Sequence, residues 1–355
     1  MPTLNFVTLF NSNYLSRGLV LYQSLQKHCP DFHLYVIAFD DATYNYFQKF
    51  PQKNLTAISL AQFEDEKLLS IKSSRSATEY CWTCTASTVL YCITTFNLDH
   101  CVYLDADMCF YSNPQSLIDE WGNKSVLITE HRYTPEYDQS VLSGIYCVQF
   151  VGFKNDTDGI EALNYWRESC IEWCYSRAEE GKFGDQKYLD DWTTRFNNVH
   201  VLQHLGGGIA PWNVQQYKFS NLSADRQEKN NYLIGCEIAT GKEFSAVFFH
   251  FHGLKFYDDD IVSLADCGYE ISKTVIELFY KSYVHELMAA KTEINKMDSS
   301  FNPNGSSGKA PYSELNFETL KKYYIEGIKS SKRNIFGRHL FKKIKQHYFF
   351  KTIKF

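Results

Sequence analysis

Residues 101–107, Cys101-Val102-Tyr103-Leu104-Asp105-Ala106-Asp107, decide how this chain is read. The first four are apolar or aromatic and partly β-branched. They follow the turn-prone run Asn97-Leu98-Asp99-His100 and read as a short buried strand. That strand runs straight into two carboxylates separated by one small residue. In an open α/β sheet the ligand crevice lies outside the carboxyl ends of the strands. Asp105 and Asp107 therefore fall where a hard divalent cation would bridge the protein to a diphosphate. Capping of the following turn is the competing role for the same two acids.

Upstream, residues 4–9 read as a first strand, and Leu15, Leu19, Tyr22 and Leu25 predict a helix over 15–28, ended before Pro30. A second strand at 33–39, a helix at 42–50 and a strand at 55–59 complete a β-α-β-α-β opening, the pattern of a parallel sheet with crossover helices. Neither a G-x-G-x-x-G after the first strand nor a G-x-x-x-x-G-K-[ST] is present, which disfavours a dinucleotide dehydrogenase or a P-loop NTPase. Ser76-Ala77-Thr78-Glu79 is a capping-box pattern, starting a helix that delivers the chain to the 101–104 strand. Downstream, strands are expected at 126–129, within 144–153 and at 247–252, and helices at 159–178, 184–196 and 272–297. Gly206-Gly207-Gly208 reads as a loop.

At 355 residues with 44% hydrophobic and 22% charged side chains, the composition is that of a soluble globular protein. The N-terminus lacks a basic region followed by a long apolar run, so a cytoplasmic location is expected. Cys81, Cys84, Cys92, Cys101, Cys147, Cys170 and Cys174 sit within apolar periodic segments and are read as free thiols, without structural zinc. Composition shifts after residue 300. We divide the chain into a domain at 1–300, a linker or loop at 301–311 and a basic, aromatic helical tail at 312–355. From Lys321 to Phe355 there are eleven Lys or Arg and one acid, a formal +10; the total of −5 leaves −15 on the rest. Cations interleaved with Ile335, Phe336, Leu340, Phe341 and Ile344 suit an anionic membrane surface, and the acidic body argues against nucleic acid. The tail would place the protein peripherally on the inner membrane face.

Four motifs in order, Phe10-Asn11-Ser12-Asn13-Tyr14, Asp105-Ala106-Asp107, Asp185-Gln186 and His250-Phe251-His252-Gly253-Leu254-Lys255, resemble those of nucleotide-sugar-dependent glycosyltransferases of the GT-A fold. The resemblance is closest to the retaining family 8 type, which includes glycogenin and lipopolysaccharide galactosyltransferases. It spans residues 4–257, about 70% of the chain. It implies an α/β fold, a GT-A (Rossmann-like) mostly parallel sheet flanked by helices. The implied activity is metal-dependent transfer of a sugar, from a UDP-sugar, to a saccharide or glycolipid acceptor. A non-catalytic nucleotide-sugar-binding or membrane-binding module is the alternative.

Residue by residue, the resemblance assigns Asp105, Asp107 and His250 to Mn²⁺ or Mg²⁺, Asp105 also to the ribose, and Gly253 and Lys255 to the diphosphate side. Strand alternation puts His252 on the same face as His250, so His252 is an alternative ligand. Phe10, Asn11 and Tyr14 would contact the base, with helix capping the competing role near Asn13. Arg75 would meet a phosphate, or simply stand exposed. Asp185 would hold sugar hydroxyls and Gln186 would face the reacting carbon, unless Asp185 serves only as a helix cap. Trp212 and Asn213 would shape the acceptor side. Gly144-Ile145-Tyr146-Cys147-Val148-Gln149 departs from the family pattern, which leaves the donor sugar open.

Overall fold

The computed structural model describes residues 3–223, 231–265 and 268–308, together with Lys321 and Ile325. The basic tail expected at 312–355 lies otherwise outside the described residues. The central sheet has seven strands in the order β3-β2-β1-β4-β7-β6-β8: β1 (Leu4–Phe10), β2 (Phe32–Ala38), β3 (Leu55–Ser59), β4 (His100–Leu104), β6 (Val126–Glu130), β7 (Tyr146–Lys154) and β8 (Val199–Val201). Pairing is parallel except where β7 runs antiparallel between β4 and β6. This is the α/β, mostly parallel sheet that the β-α-β-α-β opening implies.

Helix α1 (Leu15–His28) and α2 (Asp41–Lys49) connect the first three strands; α3 (Leu60–Phe63) and α4 (Glu66–Lys72) follow as short turns. Helix α5 (Ala77–Phe96) starts at the predicted capping box: the Ser76 hydroxyl accepts from the Glu79 amide, and the Glu79 carboxylate accepts from that of Ser76. It stops where Asn97 turns left-handed, at φ 51°. Further along come α6 (Gln115–Trp121), α7 (Ser140–Ser143), α8 (Thr157–Glu172) and α9 (Trp192–Arg195). Helices α5 and α8 cover one face of the sheet, burying Cys84, Val89, Leu163 and Trp166 against β4 and β7. Helix α1 covers the other, with Leu19, Tyr22 and Leu25 against Phe6 and Val36.

A second sheet, β5-β13-β9, is small but decisive. It joins β5 (Met108–Phe110), which follows the Asp105-Ala106-Asp107 turn directly, to β13 (Phe248–His250) and β9 (Gly207–Ile209). The triple glycine is therefore partly strand and not only loop. Pairing with β13 makes it so, and larger residues would not fit: a Cβ on Gly206 would stand 1.9 Å from the Ser245 carbonyl oxygen, and one on Gly207 2.6 Å from Leu202. The meander β10 (Tyr217–Ser223), β11 (Asn231–Glu237) and β12 (Glu243–Ser245) leads into β13.

Two expected helices also differ. Residues 184–196 form a 3₁₀ turn (Lys187–Asp191) and the single turn of α9. The late helix is broken by a π-helical turn (Ile276–Tyr280) between α10 (Lys273–Val275) and α11 (Lys281–Met297). Residues 301–308 pack onto the body: Phe301 meets Tyr46 edge-on, and Asn304 is buried. Ten cysteines among the described residues are free thiols. No helix among those residues is long and apolar enough to cross a membrane.

Candidate active site

The β4-to-β5 turn and the end of β13 converge. His250 Nε2 lies 3.1 Å from an oxygen of Asp107 and 3.6 Å from one of Asp105. One ligand atom from each of these three residues lies within 4.8 Å of the others, the one such group of His, Cys, Asp or Glu among the described residues. His250 thus takes the position beside both carboxylates, and His252 lies next to it, on the cavity wall. Two carboxylates and one imidazole are a donor set that fits a divalent metal cation.

The imidazole is also oriented for that role. Its Nδ1 stands 2.8 Å from Gln149 Oε1, a buried contact across β7. Since a carbonyl oxygen only accepts, Nδ1 carries the proton and Nε2 is turned to the acids. Trp212 packs edge-on against both His250 and His252.

Electrostatics reinforce the grouping. Burial would raise the Asp107 carboxyl, but the attraction and hydrogen bond of His250 outweigh it and hold the group at about 2. Burial pushes Asp105 up to about 6 against the pull of the same imidazole. Burial disfavours the His250 cation, yet Asp107 holds its pKa well above the ordinary value. A cation held here would take the place of the Nε2 proton. Replacing Gln149 by Met removes the acceptor that fixes the tautomer. The expected result is a loss of roughly 10- to 100-fold in Mn²⁺ affinity, measured by calorimetric titration; unchanged affinity would refute the orienting role.

From this cluster a cavity of about 320 Å³ extends between two walls. One wall carries Asp185 and Gln186 with Trp82 and Phe183; the other carries His131, Tyr133 and Trp212. Asp185 is reached through Gly184, whose φ of 54° suits glycine, and its backbone carbonyl accepts a 2.8 Å bond from the buried Trp166 indole. One carboxylate oxygen, Oδ2, is buried without a partner. Burial, with Asp105 adding, pushes this carboxyl up to about 7, against a Thr85 hydrogen bond. Gln186 donates from Nε2 to the Ser143 carbonyl at 2.8 Å, which leaves Oε1 as the accepting end of its amide.

Opposite, His131 stacks on Tyr133 with rings 4.6 Å apart, and burial lowers its pKa to about 3, so it is neutral. Asn213 fastens this wall, donating to the carbonyls of His131 and Gly208.

Not every expected residue joins the cavity. The Phe10 ring belongs to the core: it lies edge-on to Phe47 and fills the space where a Cβ on Gly18 would stand. Asn11 caps the turn at Ser12–Tyr14, its side chain accepting from the Asn13 amide. Tyr14 keeps 40% of its surface exposed, and its ring lies 4.3 Å from the Arg17 guanidinium. Gly253 turns with φ 76° after β13, and Lys255 follows it, exposed, on the two-residue strand β14 (Lys255–Phe256). Arg75 is engaged elsewhere: its guanidinium stacks 4.0 Å from the Tyr175 ring and donates to the Ile171 carbonyl. His131 and Tyr133 had no sequence signal beyond lying near an expected strand; Gln149 ends the stretch that departs from the family pattern, but its bond to His250 joins residues 101 positions apart.

No protein-family model matches the chain. The uncharacterized protein YfnD of Bacillus subtilis (strain 168) is 29% identical over 320 residues, covering 88% of this chain and 96% of YfnD. YfnF of the same strain, also uncharacterized, is 28% identical over 308 residues, covering 84% and 96%. Among solved structures, the galactosyltransferase LgtC aligns with a TM-score of 0.45 at 12% identity, over 81% of this chain and 96% of LgtC. The glycosyltransferase GlyE of Streptococcus pneumoniae TIGR4 aligns with a TM-score of 0.38 at 14% identity, over 59% of this chain and 47% of GlyE. Both solved structures are glycosyltransferases.

Proposed function

We propose that this protein is a metal-dependent glycosyltransferase that takes a sugar from a nucleotide donor, foremost a UDP-sugar, and passes it to a saccharide acceptor, free or lipid-linked. One observation carries the reading. Asp105 and His250, with Asp107 beside them, line the same cavity of about 320 Å³ as the Asp185–Gln186 pair, at the small end of the range for small-molecule sites and roomy enough for one sugar ring.

The division of labour follows from the chemistry of each side chain. A bound divalent cation supplies the positive charge that a departing diphosphate needs. Asp105, Asp107 and the Nε2 of His250 are the residues that would hold it, and Lys255 adds a cation beyond the Gly253 turn. Asp185, ionised, accepts hydrogen bonds from sugar hydroxyls. Gln186 turns the negative end of its amide dipole into the cavity, where it favours positive charge developing at the anomeric carbon. Trp82, Tyr133 and Trp212 offer ring faces and edges to the apolar C–H faces of a sugar and exclude water. Retention of anomeric configuration follows the family resemblance.

Nucleotide release from a panel of UDP-, GDP- and CMP-sugars is the direct test, run with Mn²⁺, with Mg²⁺ and with chelator. The expected outcome is release from one donor that chelator abolishes. If no donor turns over, and UDP binds equally well with and without metal, the proposal falls. Metal-dependent UDP binding without turnover onto any saccharide would favour the non-catalytic module.

A further inference from the structure

Arg17, in the first turn of α1, is 2% exposed although arginine is among the least often buried residues. Nη2 donates to the Leu254 carbonyl at 3.0 Å and Nη1 to the Asn304 carbonyl at 3.1 Å. The guanidinium lies 4.3 Å from the centre of the Tyr14 ring and 5.8 Å from that of Phe256. Nε is buried without a partner. Carbonyl acceptors satisfy donors but do not cancel a charge, so a fixed positive potential stays inside the protein. The turn that Arg17 holds is tied to the acid pair: the Leu254 amide donates to the Phe251 carbonyl at 3.1 Å, and the Phe251 amide donates to the Asp107 carbonyl at 2.9 Å.

The two carbonyls are informative. Leu254 lies between Gly253 and Lys255, in the turn that leaves His250. Asn304, 1% exposed, belongs to the segment after α11, which is tied to the start of α1. There the Ser16 amide donates to the Pro303 carbonyl at 3.2 Å, and the Ser16 hydroxyl bonds Pro303 and Asn304. Arg17 thus joins three segments distant in sequence at the edge of the cluster.

We propose that Arg17 is a positioning residue for the diphosphate half of the nucleotide: it fixes the 253–255 turn and supplies a buried positive charge that favours the metal-bound diphosphate over the bare cation. The inference rests on the nucleotide-sugar reading above. It predicts effects of opposite sign, which a merely structural role would not give. Removing a nearby positive charge helps a lone cation to bind and hinders an anion.

Calorimetric titration of R17Q and R17K, first with Mn²⁺ alone and then with UDP at saturating Mn²⁺, tests this. R17Q should bind UDP about tenfold or more weakly than the natural protein, while binding Mn²⁺ as tightly or a few-fold more tightly. R17K, which keeps the charge and loses the fork, should keep UDP affinity within about threefold. Parallel weakening of Mn²⁺ and UDP in R17Q, or unchanged UDP affinity, overturns the proposal. Should R17Q not fold, a tenfold loss of UDP affinity in R17K with unchanged Mn²⁺ binding also overturns it. If the natural protein itself fails to bind UDP with Mn²⁺, the underlying reading falls and takes this inference with it.

Discussion

Asp107→Asn is expected to lower donor cleavage at least about a thousandfold, roughly 4 kcal/mol of transition-state stabilisation. The substitution preserves shape and removes one anionic ligand. Asp107 is the carboxylate closest to His250 Nε2, at 3.1 Å, and its carboxyl is held at about 2, so it is an anion at any working pH. Without it, the imidazole and Asp105 alone face the cation. Mn²⁺ should then no longer raise the melting temperature, since a ligand stabilises the fold only through its affinity for it. Full activity that remains sensitive to chelator would remove Asp107 from the metal site.

Asp185→Asn is expected to make the protein more stable and nearly inactive. The carboxyl is 3% exposed and burial raises its pKa from an ordinary 3.8 to about 7, with one oxygen unpartnered. A raised carboxyl pKa means the folded state holds the proton more tightly than the unfolded one. Stability therefore falls as pH climbs from about 4 to about 7, and the full cost is present above that. A shift of about three units corresponds to on the order of 4 kcal/mol. In metal-free protein, D185N should melt several degrees higher at pH 8 and match the natural chain near pH 4. Donor cleavage should drop by a hundredfold or more, because the neutral amide no longer gives sugar hydroxyls an anionic acceptor. A melting temperature equal to or below that of the natural protein at pH 8 would contradict the buried-anion account.

The architecture was largely legible because its long elements carry local signals. Leu15, Leu19, Tyr22 and Leu25 repeat at helical spacing, and α1 spans Leu15–His28. Ser76 and Glu79 form the box their spacing announced. The acid pair could be placed because a hydrophobic strand ending in acids is itself a local pattern.

Other features were not legible, and for a physical reason. Strands β5 and β9 have three residues each, too few to show a period, and each is held by pairing with β13, the strand expected at 247–252. Gln149 looked like any polar residue on a β-rich segment, yet its partner is 101 positions away. The apolar spacing of α1 did not mark Arg17 as buried, since carbonyls from residues 254 and 304 enclose it. Phe10 sat within a motif and was assigned to the base; the ring instead fills the space above Gly18, a packing relation no motif encodes.

The pairing of β5 with β13 also bears on how the protein is made. A growing chain emerges from its N-terminus, and early segments begin to fold as they appear. Asp105 and Asp107 emerge long before residue 250, and β5 has no sheet neighbour until β13 follows. During synthesis the two acids stand without their imidazole, so the nascent chain is no more than a weak, two-carboxylate cation binder. The third ligand arrives with the strand that closes the small sheet. On the proposed metal reading, competence for the cation is thereby reserved for a chain that has been translated past His250.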